Sequence, residues 1–210
     1  MIDKNRLCSL AKENGIILDD TALDRFDTYA ELLVEWNGKM NLTAITEPEE
    51  IEVKHFLDCL MLPKYFNLDY IQTVIDVGAG AGFPSVPLLI YKPDLCLTMM
   101  DAINKRLTFL DTAVYALGLE AQLIHERAEA AGQDENYREK FDLATARAVA
   151  PMNVLAEYCL PFVKVGGYFV ALKGSNDDTE EAKNAIATLG GKIVDNISYK
   201  LNGTEPRSIV

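Results

Sequence analysis

Residues 74–85 have the sequence VIDVGAGAGFPS, an apolar strand that leads into three glycines and then into a proline that can begin a helix. Glycines at positions 78, 80 and 82 let the backbone turn tightly and approach a ligand where a Cβ atom would collide. The next apolar run, LCLTMMD, ends at Asp101, at about the distance at which dinucleotide-binding folds place a carboxylate for ribose hydroxyls. Together the two features predict a nucleotide-like cofactor at the carboxyl edge of a sheet.

The glycine spacing distinguishes two classes of cofactor. The dinucleotide fingerprint G-x-G-x-x-G needs a third glycine at position 83, where this chain has Phe83. The observed G-x-G-x-G resembles the loop of methyltransferases that bind S-adenosylmethionine, in which Asp76 can face the amino group of the methionine part. With Asp101, the spacing favours S-adenosylmethionine. A glycine-rich turn also occurs in other doubly wound folds, so a dinucleotide oxidoreductase and a non-catalytic nucleotide-binding module are the alternatives.

The rest of the chain after residue 70 alternates short apolar runs with helical patterns. The apolar runs are TVIDV, LCLTMMD, AQLIH, FDLATA, GYFVALK and GKIVDNISYK. Because parallel neighbours need crossover connections, this alternation predicts a Rossmann-like α/β fold, a mostly parallel sheet with helices on both faces. The final residues, RSIV, are interpreted as a strand only just begun, so the core, residues 71–210, is expected to end within its last strand.

Residues 1–70 are predicted to form a helical extension that packs on this core. From Thr21 to about Lys39, apolar residues recur at three- and four-residue steps, which indicates an amphipathic helix. A shorter helix precedes it and ends near Gly15. Pro48, followed by two glutamates, is suited to the first turn of another helix.

Composition limits the class of protein. The chain has 210 residues, 49% of them hydrophobic, enough for one substantial core. No segment resembles a signal peptide or a membrane span, so a cytoplasmic protein without membrane contact is expected. The four cysteines lie far apart with no CxxC pair, which predicts reduced core residues and neither a zinc site nor a disulfide framework.

The net charge of −12 argues against a nucleic-acid partner, because such proteins usually present a basic face to phosphate. The acidic residues, however, are concentrated in segments such as EPEEIE, GQDENYRE and NDDTEE, and the position of charge matters more than its total. The total charge is therefore only weak evidence against an RNA partner.

Four groups of residues resemble one family closely, the RsmG (GidB) methyltransferases, from Glu35 to the end of the chain. They are EWNGKMNLT, KHFLDCL, DVGAGAGFPS with DAINKRLTFL, and TARAVAP with VALKG. The resemblance implies a Rossmann-like methyltransferase fold with N-terminal helices and formation of 7-methylguanosine in 16S ribosomal RNA. The expected substrate is that RNA within the 30S subunit or an assembly intermediate, and the expected protein is a monomer. A small-molecule methyltransferase, favoured by the acidic charge, is the alternative.

The resemblance also implies site residues. Those implied to bind the cofactor are Gly78, Phe83, Asp101, Ala102, Ile103, Ala128, Glu129 and Arg147, in addition to Asp76, Gly80 and Gly82, which the glycine-rich segment itself indicates. Without the resemblance, Glu129 would equally be an exposed helix residue.

The expected reaction needs no general base, because N7 of guanine carries a lone pair and no proton. Arg147 and Lys173, both predicted at strand ends, are expected to hold a phosphate or the acceptor edge of guanine. Asn41, His55 and Asp58 are expected to line the same site from the N-terminal helices. The alternatives are surface ions for the first pair and structural polar groups for the others. Replacing Arg147 by alanine is expected to abolish transfer without unfolding the protein.

Overall fold

The computed structural model describes residues 1–147, 150–174 and 178–210, so Ala148 and Val149 of the TARAVAP segment lie outside the described residues. The α-helices are α1 (Lys4–Glu13), α2 (Asp20–Asn37), α3 (Pro48–Glu50), α4 (Asp58–Tyr65), α5 (Ser85–Tyr91), α6 (Asn104–Ala116), α7 (Ala128–Ala131), α8 (Met152–Cys159) and α9 (Thr179–Thr188). The strands are β1 (Thr73–Val77), β2 (Cys96–Asp101), β3 (Gln122–His125), β4 (Phe141–Arg147), β5 (Val163–Lys173), β6 (Ile197–Leu201) and β7 (Glu205–Ile209). A π-helix, Ile51–Leu57, joins α3 to α4, and a 3-10 turn, Leu160–Phe162, precedes β5.

One sheet contains all seven of these strands, in the order β3-β2-β1-β4-β5-β7-β6. Strands β1 to β5 pair in parallel, and β7 is antiparallel to both of its neighbours. The predicted α/β fold is confirmed. The strand order reverses direction at β1, between β2 and β4. In such sheets ligands bind beyond the carboxyl ends of the strands at this switch point.

Apolar stripes explain how the helices cover the sheet. Helix α2 buries Leu23, Phe26, Ala30 and Leu33, which are among the residues whose spacing predicted it. Asp19 caps this helix by accepting from the backbone N–H of Ala22. The predicted helix at Pro48 also forms and continues through the π-helix into α4.

Among the N-terminal helices, α2 packs on α5, α6 and the glycine-rich loop, whereas the π-helix and α4 contact strands β4 and β6. Its Tyr29 is fully buried, and its hydroxyl donates to the backbone oxygen of Ala81 in the glycine-rich loop. This contact places α2 and the π-helix beside the carboxyl edge of β1. The division at residue 70 stays a prediction.

Two elements near the C-terminus differ from the sequence prediction. The run GKIVDNISYK, residues 191–200, becomes a strand only from Ile197, where β6 begins, and Val194 is 70% exposed. The residues RSIV do not merely begin a strand: β7 starts at Glu205 and pairs with β5 on one side and β6 on the other. The spacing of apolar residues in a sequence does not distinguish an antiparallel hairpin from a single strand followed by a loop.

The cysteines are free, as expected, but they do not share one environment. Cys59 and Cys159 are buried and Cys8 is partly buried, whereas Cys96 is exposed, so the prediction of a core position is wrong for Cys96. Within the described ranges, no helix is long and apolar enough to cross a bilayer.

Candidate active site

The glycine-rich loop after β1 follows a backbone path that favours glycine. Gly78, Gly80 and Gly82 have φ values of +73°, +60° and +90°. The backbone N–H groups of Gly78 and Ala79 both donate to the oxygen of Met100, which ties the loop to the end of β2. A Cβ atom at Gly80 would meet nothing closer than the oxygen of Gly78, at 3.8 Å, so this part of the loop is open to a ligand.

Gly82 has a different role from the one predicted. A Cβ atom there would lie 2.6 Å from Cγ2 of Val86, 2.8 Å from Cδ2 of Leu110 and 2.8 Å from the hydroxyl oxygen of Tyr29. Glycine at this position is explained by packing against α2, α5 and α6. The sequence pattern treats Gly80 and Gly82 alike, but the structure opens only the first toward a ligand.

Asp101, at the end of β2, holds the glycine-rich loop in place through hydrogen bonds. One carboxylate oxygen accepts from the N–H of Gly80 at 2.9 Å and the other from the N–H of Ile103 at 2.8 Å. The carboxylate is 3% exposed and also lies 3.3 Å from a guanidinium nitrogen of Arg106. Next to it Ala102 is exposed and Ile103 is 47% exposed. This edge offers a buried acceptor beside an apolar surface, which suits the ribose and base of a nucleoside.

Ala128 and Glu129 begin α7, after β3, on the same side of the sheet. Ala128 is half-buried and Glu129 is exposed. The edge between β2 and β3 is held by His125, whose Nε2 lies 3.2 Å from the backbone oxygen of Ala102.

Asp76 does not face an open site as predicted. It is fully buried in β1, and its carboxyl oxygens accept from the hydroxyls of Ser85, at 2.5 Å, and Thr145, at 3.3 Å. Burial raises the pKa of Asp76 to about 7, although both hydroxyls oppose this effect. Nothing in the local sequence pattern indicated that the hydroxyl of Ser85 would donate to this carboxyl.

Arg147, at the end of β4, is the centre of the polar cluster. Its Nη1 donates to Asp58 Oδ2 and to the backbone oxygen of Lys54, both at 3.1 Å, and its Nη2 donates to Nδ1 of His55 at 2.8 Å. Its guanidinium also lies 4.8 Å from the centre of the Phe83 ring. The side chain is only 15% exposed. Arg147 ends β4 as predicted, but it is packed within this cluster and joins β4 to the π-helix and α4.

The π-helix presents His55 to this cluster. Its ring is 5% exposed and stacks on Phe83, with the ring centres 4.2 Å apart at 19°. Burial, and then the charge of Arg147, lowers the pKa of His55 to about 3. The imidazole is thus neutral at physiological pH and serves as a fixed polar wall. π-helical turns are common at functional sites.

Asn41 does not join the cluster that His55, Asp58 and Arg147 form. It is exposed in the loop after α2. The loop is held by Asn37, whose side-chain oxygen accepts from the N–H groups of Leu42 and Thr43 at 2.8 and 3.0 Å. Trp36 of α2 packs on Phe109 with ring centres 5.8 Å apart.

Lys173 ends β5, beside the end of β4, where Arg147 pairs with Leu172. Its ammonium lies 2.6 Å from the carboxylate of Asp178, which also accepts from the N–H of Met152 at 2.7 Å. Lys173 and Arg147 therefore share one edge of the sheet, and each has a carboxylate partner.

Sequence reasoning missed the contribution of the C-terminal hairpin. The hydroxyl of Tyr199 donates to Asp58 Oδ1 at 3.1 Å, and Nε of Arg207 lies 3.5 Å from the same oxygen. Asp58 thus links β4, β6 and β7 at a single carboxylate. No local spacing could have indicated this, since Tyr199 and Asp58 are 141 residues apart.

Comparison with known proteins identifies the family. The model of rRNA small subunit methyltransferase G (GidB) matches residues 22–208. The chain belongs to the rRNA small subunit methyltransferase G family. The protein of this name from an Exiguobacterium species is 52% identical over 91% of this chain and 82% of its own length. The one from Exiguobacterium sibiricum is 46% identical over 100% of this chain and 90% of its own length.

Solved structures of low identity show the same fold. An O-methyltransferase family protein from Burkholderia thailandensis superposes with a TM-score of 0.58 at 12% identity, over 88% of this chain and 58% of that protein. TehB from Haemophilus influenzae superposes with a TM-score of 0.52 at 18% identity, over 85% of this chain and 65% of that protein.

Membership of the rRNA small subunit methyltransferase G family makes the chain a methyltransferase, and its cofactor is S-adenosylmethionine, as the sequence predicted. The residues present fit that cofactor. Gly80 leaves room beside the loop, Asp101 is a buried acceptor at the next strand end, and Ile103 offers an exposed apolar side chain.

Proposed function

We propose that this protein transfers the methyl group of S-adenosylmethionine to N7 of a guanine in 16S ribosomal RNA. The observation that carries the proposal is the family match over residues 22–208, whose motif residues meet at one edge of the sheet, around Arg147 and Phe83. The substrate would be the RNA within the 30S subunit or an assembly intermediate, and the protein would act as a monomer. Residues 1–70 would form an extension that covers the site.

The cofactor would lie along the glycine-rich loop. Gly78 and Gly80 would let the backbone approach it, and Asp101 would accept from its ribose hydroxyls. Ala102, Ile103 and Ala128 would contact the adenine, with Glu129 near its exposed edge. Asp76 would act indirectly, because it is fully buried within β1, where its oxygens accept from Ser85 and Thr145, whereas Asp101 lies at the open end of β2.

Bound there, S-adenosylmethionine supplies a methyl group on a sulfonium sulfur that a nucleophile displaces in line. The protein's part is orientation and electrostatics, since N7 of guanine has no proton to lose. No residue has to act as a base, which agrees with His55, a weak base because its pKa is about 3 and its Nδ1 accepts from Arg147. Phe83 and His55, stacked on each other, would form one wall of the base pocket.

Arg147 and Lys173 would face the RNA from the ends of β4 and β5. Asp58 and His55 would orient the Arg147 guanidinium, whose remaining N–H groups could reach a phosphate or a base edge. Asn41, exposed in the loop after α2, would approach from the other side. Because the total charge is −12, the protein would bind the RNA through the few basic residues at this edge and not through attraction between the whole protein surface and the RNA.

Methyl transfer from labelled S-adenosylmethionine to undermethylated 30S subunits tests the proposal, with naked 16S rRNA and a panel of small metabolites as parallel acceptors. We expect label in the 30S subunits. Label only in a metabolite would favour the alternative, a small-molecule methyltransferase, for which the acidic charge speaks. Thermal shifts test the cofactor separately, because S-adenosylmethionine should stabilise the protein and NAD should not.

A further inference from the structure

The loop that follows α2 holds the hydroxyl of Thr43 in a fixed position. The N–H of Thr43 donates to the side-chain oxygen of Asn37 at 3.0 Å. Its Oγ1 lies 2.9 Å from Nε2 of His55 and 3.0 Å from the backbone N–H of Ile45, which donates to it. Thr43 is half-buried, so part of its side chain still reaches the surface.

The direction of the hydrogen bond between His55 and Thr43 follows from Arg147. An arginine side chain has only donors, so Nδ1 of His55, 2.8 Å from Arg147 Nη2, must be the acceptor. The neutral ring therefore carries its proton on Nε2. Nε2 then donates to Thr43 Oγ1.

Thr43 Oγ1 thus accepts two hydrogen bonds, one from His55 and one from Ile45. A hydroxyl oxygen has two lone pairs, and both are used. The hydroxyl proton of Thr43 remains, and among the described residues no acceptor lies within hydrogen-bond distance of it. The polar chain from Arg147 therefore turns Thr43 into a group that can only donate.

This donor lies beside the proposed base pocket. His55, its hydrogen-bond partner, stacks on Phe83, and the Arg147 guanidinium lies over the same ring. The edge of guanine that carries N7 has one other acceptor, O6, whereas adenine has an amino group at that position. The lone pair of N7 must point at the methyl group. On this edge of guanine, O6 is then the acceptor that a protein donor can recognise.

We propose that the Thr43 hydroxyl donates to O6 of the target guanine and so makes the enzyme select guanine over adenine. The inference rests on the proposed function. Opposite adenine, the fixed hydroxyl would meet another donor and stay unpaired. Asn37 and His55 act as positioning residues, because they orient Thr43.

A cycle of protein and base changes tests this proposal. The probes are 30S subunits reconstituted with 16S rRNA that carries either guanine or 2-aminopurine at the target position. 2-Aminopurine keeps N7 and the 2-amino group but lacks O6. The measured quantity is kcat/KM for methyl transfer by the wild type, Thr43→Ser and Thr43→Val.

We expect the kcat/KM of the wild type to fall about tenfold or more when guanine is replaced by 2-aminopurine, because one hydrogen bond is then missing. Thr43→Ser, which keeps the hydroxyl, should show the same ratio. The kcat/KM of Thr43→Val should be lower than that of the wild type on guanine, and it should not fall further when guanine is replaced by 2-aminopurine. A structural role of Thr43 would slow both substrates by the same factor, so equal factors for Thr43→Val would overturn the proposal.

The wild type and Thr43→Ser keep the test decisive even if Thr43→Val does not fold. Equal rates of the wild type on the two bases, or loss of the ratio in Thr43→Ser, would also overturn the proposal. Failure of the proposed function would look different, because the wild type would then transfer no methyl group to guanine-containing subunits while still binding S-adenosylmethionine.

Discussion

Arg147 Nη2 donates to Nδ1 of His55 over 2.8 Å, and this contact decides which ring nitrogen of the histidine carries the proton. The ring is buried and lies flat on Phe83, so it has little freedom to take another orientation. As a result, the other ring nitrogen of His55, Nε2, donates to the hydroxyl oxygen of Thr43.

Nuclear magnetic resonance of the histidine ring nitrogens should show His55 as the neutral Nε2–H tautomer from about pH 5 to pH 9, because its pKa lies near 3. The chain has only two histidines, so a His125→Gln variant leaves the signals of His55 alone. A His55 signal that titrates near pH 6.5, or that reports the Nδ1–H tautomer, would contradict the assignment.

Gly82→Ala should destabilise the protein more than Gly80→Ala. Both glycines have positive φ, so each variant meets about 1–2 kcal/mol of backbone strain. Only at Gly82 does the new methyl group collide with Val86, Leu110 and Tyr29, which adds roughly 1–3 kcal/mol.

Urea unfolding of the two glycine variants compares the free energies of unfolding. Gly80→Ala should instead weaken S-adenosylmethionine binding, which calorimetric titration measures. Equal free energies of unfolding for the two variants would contradict the distinction between a packing glycine and a ligand-facing one.

Arg147→Ala should lower activity, as expected from the sequence, and should also lower stability. The variant leaves Asp58, whose side chain is 7% exposed, without its arginine on β4, at a cost of roughly 1–3 kcal/mol in the free energy of unfolding. Methyl transfer should fall by about 100-fold or more.

The double variant Arg147→Ala with Asp58→Asn separates these two effects. Removing the buried charge should restore part of the stability, measured by urea unfolding, but none of the methyl transfer. Recovery of activity together with stability would mean that Arg147 acts only as a structural residue.

Asp76 should make stability fall as pH rises. Its folded pKa of about 7 lies above the ordinary value of 3.8, so the protonated carboxyl favours the folded state. That contribution is complete below about pH 4 and is lost as pH rises to about 7. The free energy of unfolding of Asp76→Asn minus that of the wild type should therefore increase from pH 5 to pH 8. A difference that does not change with pH would contradict the raised pKa.

The strands around the glycine-rich loop could be predicted because each is a short apolar run with a clear end, and the alternation with helices determines that they are parallel. Asp101 was predicted at the correct edge for the same reason. Residues whose role depends on distant partners could not be predicted. Gly82 faces Tyr29 and Leu110, and Asp58 meets Tyr199, contacts that no local pattern encodes.

The central claim is that the site around Arg147 directs a methyl group to N7 of guanine. Its most direct test is mass spectrometry of nucleosides from 16S rRNA after reaction of 30S subunits with isotopically labelled S-adenosylmethionine. The account predicts one labelled nucleoside, 7-methylguanosine, formed by the wild type and formed about 100-fold or more slowly by Arg147→Ala. Label in another nucleoside, or no label in RNA that the wild type has treated, would contradict it.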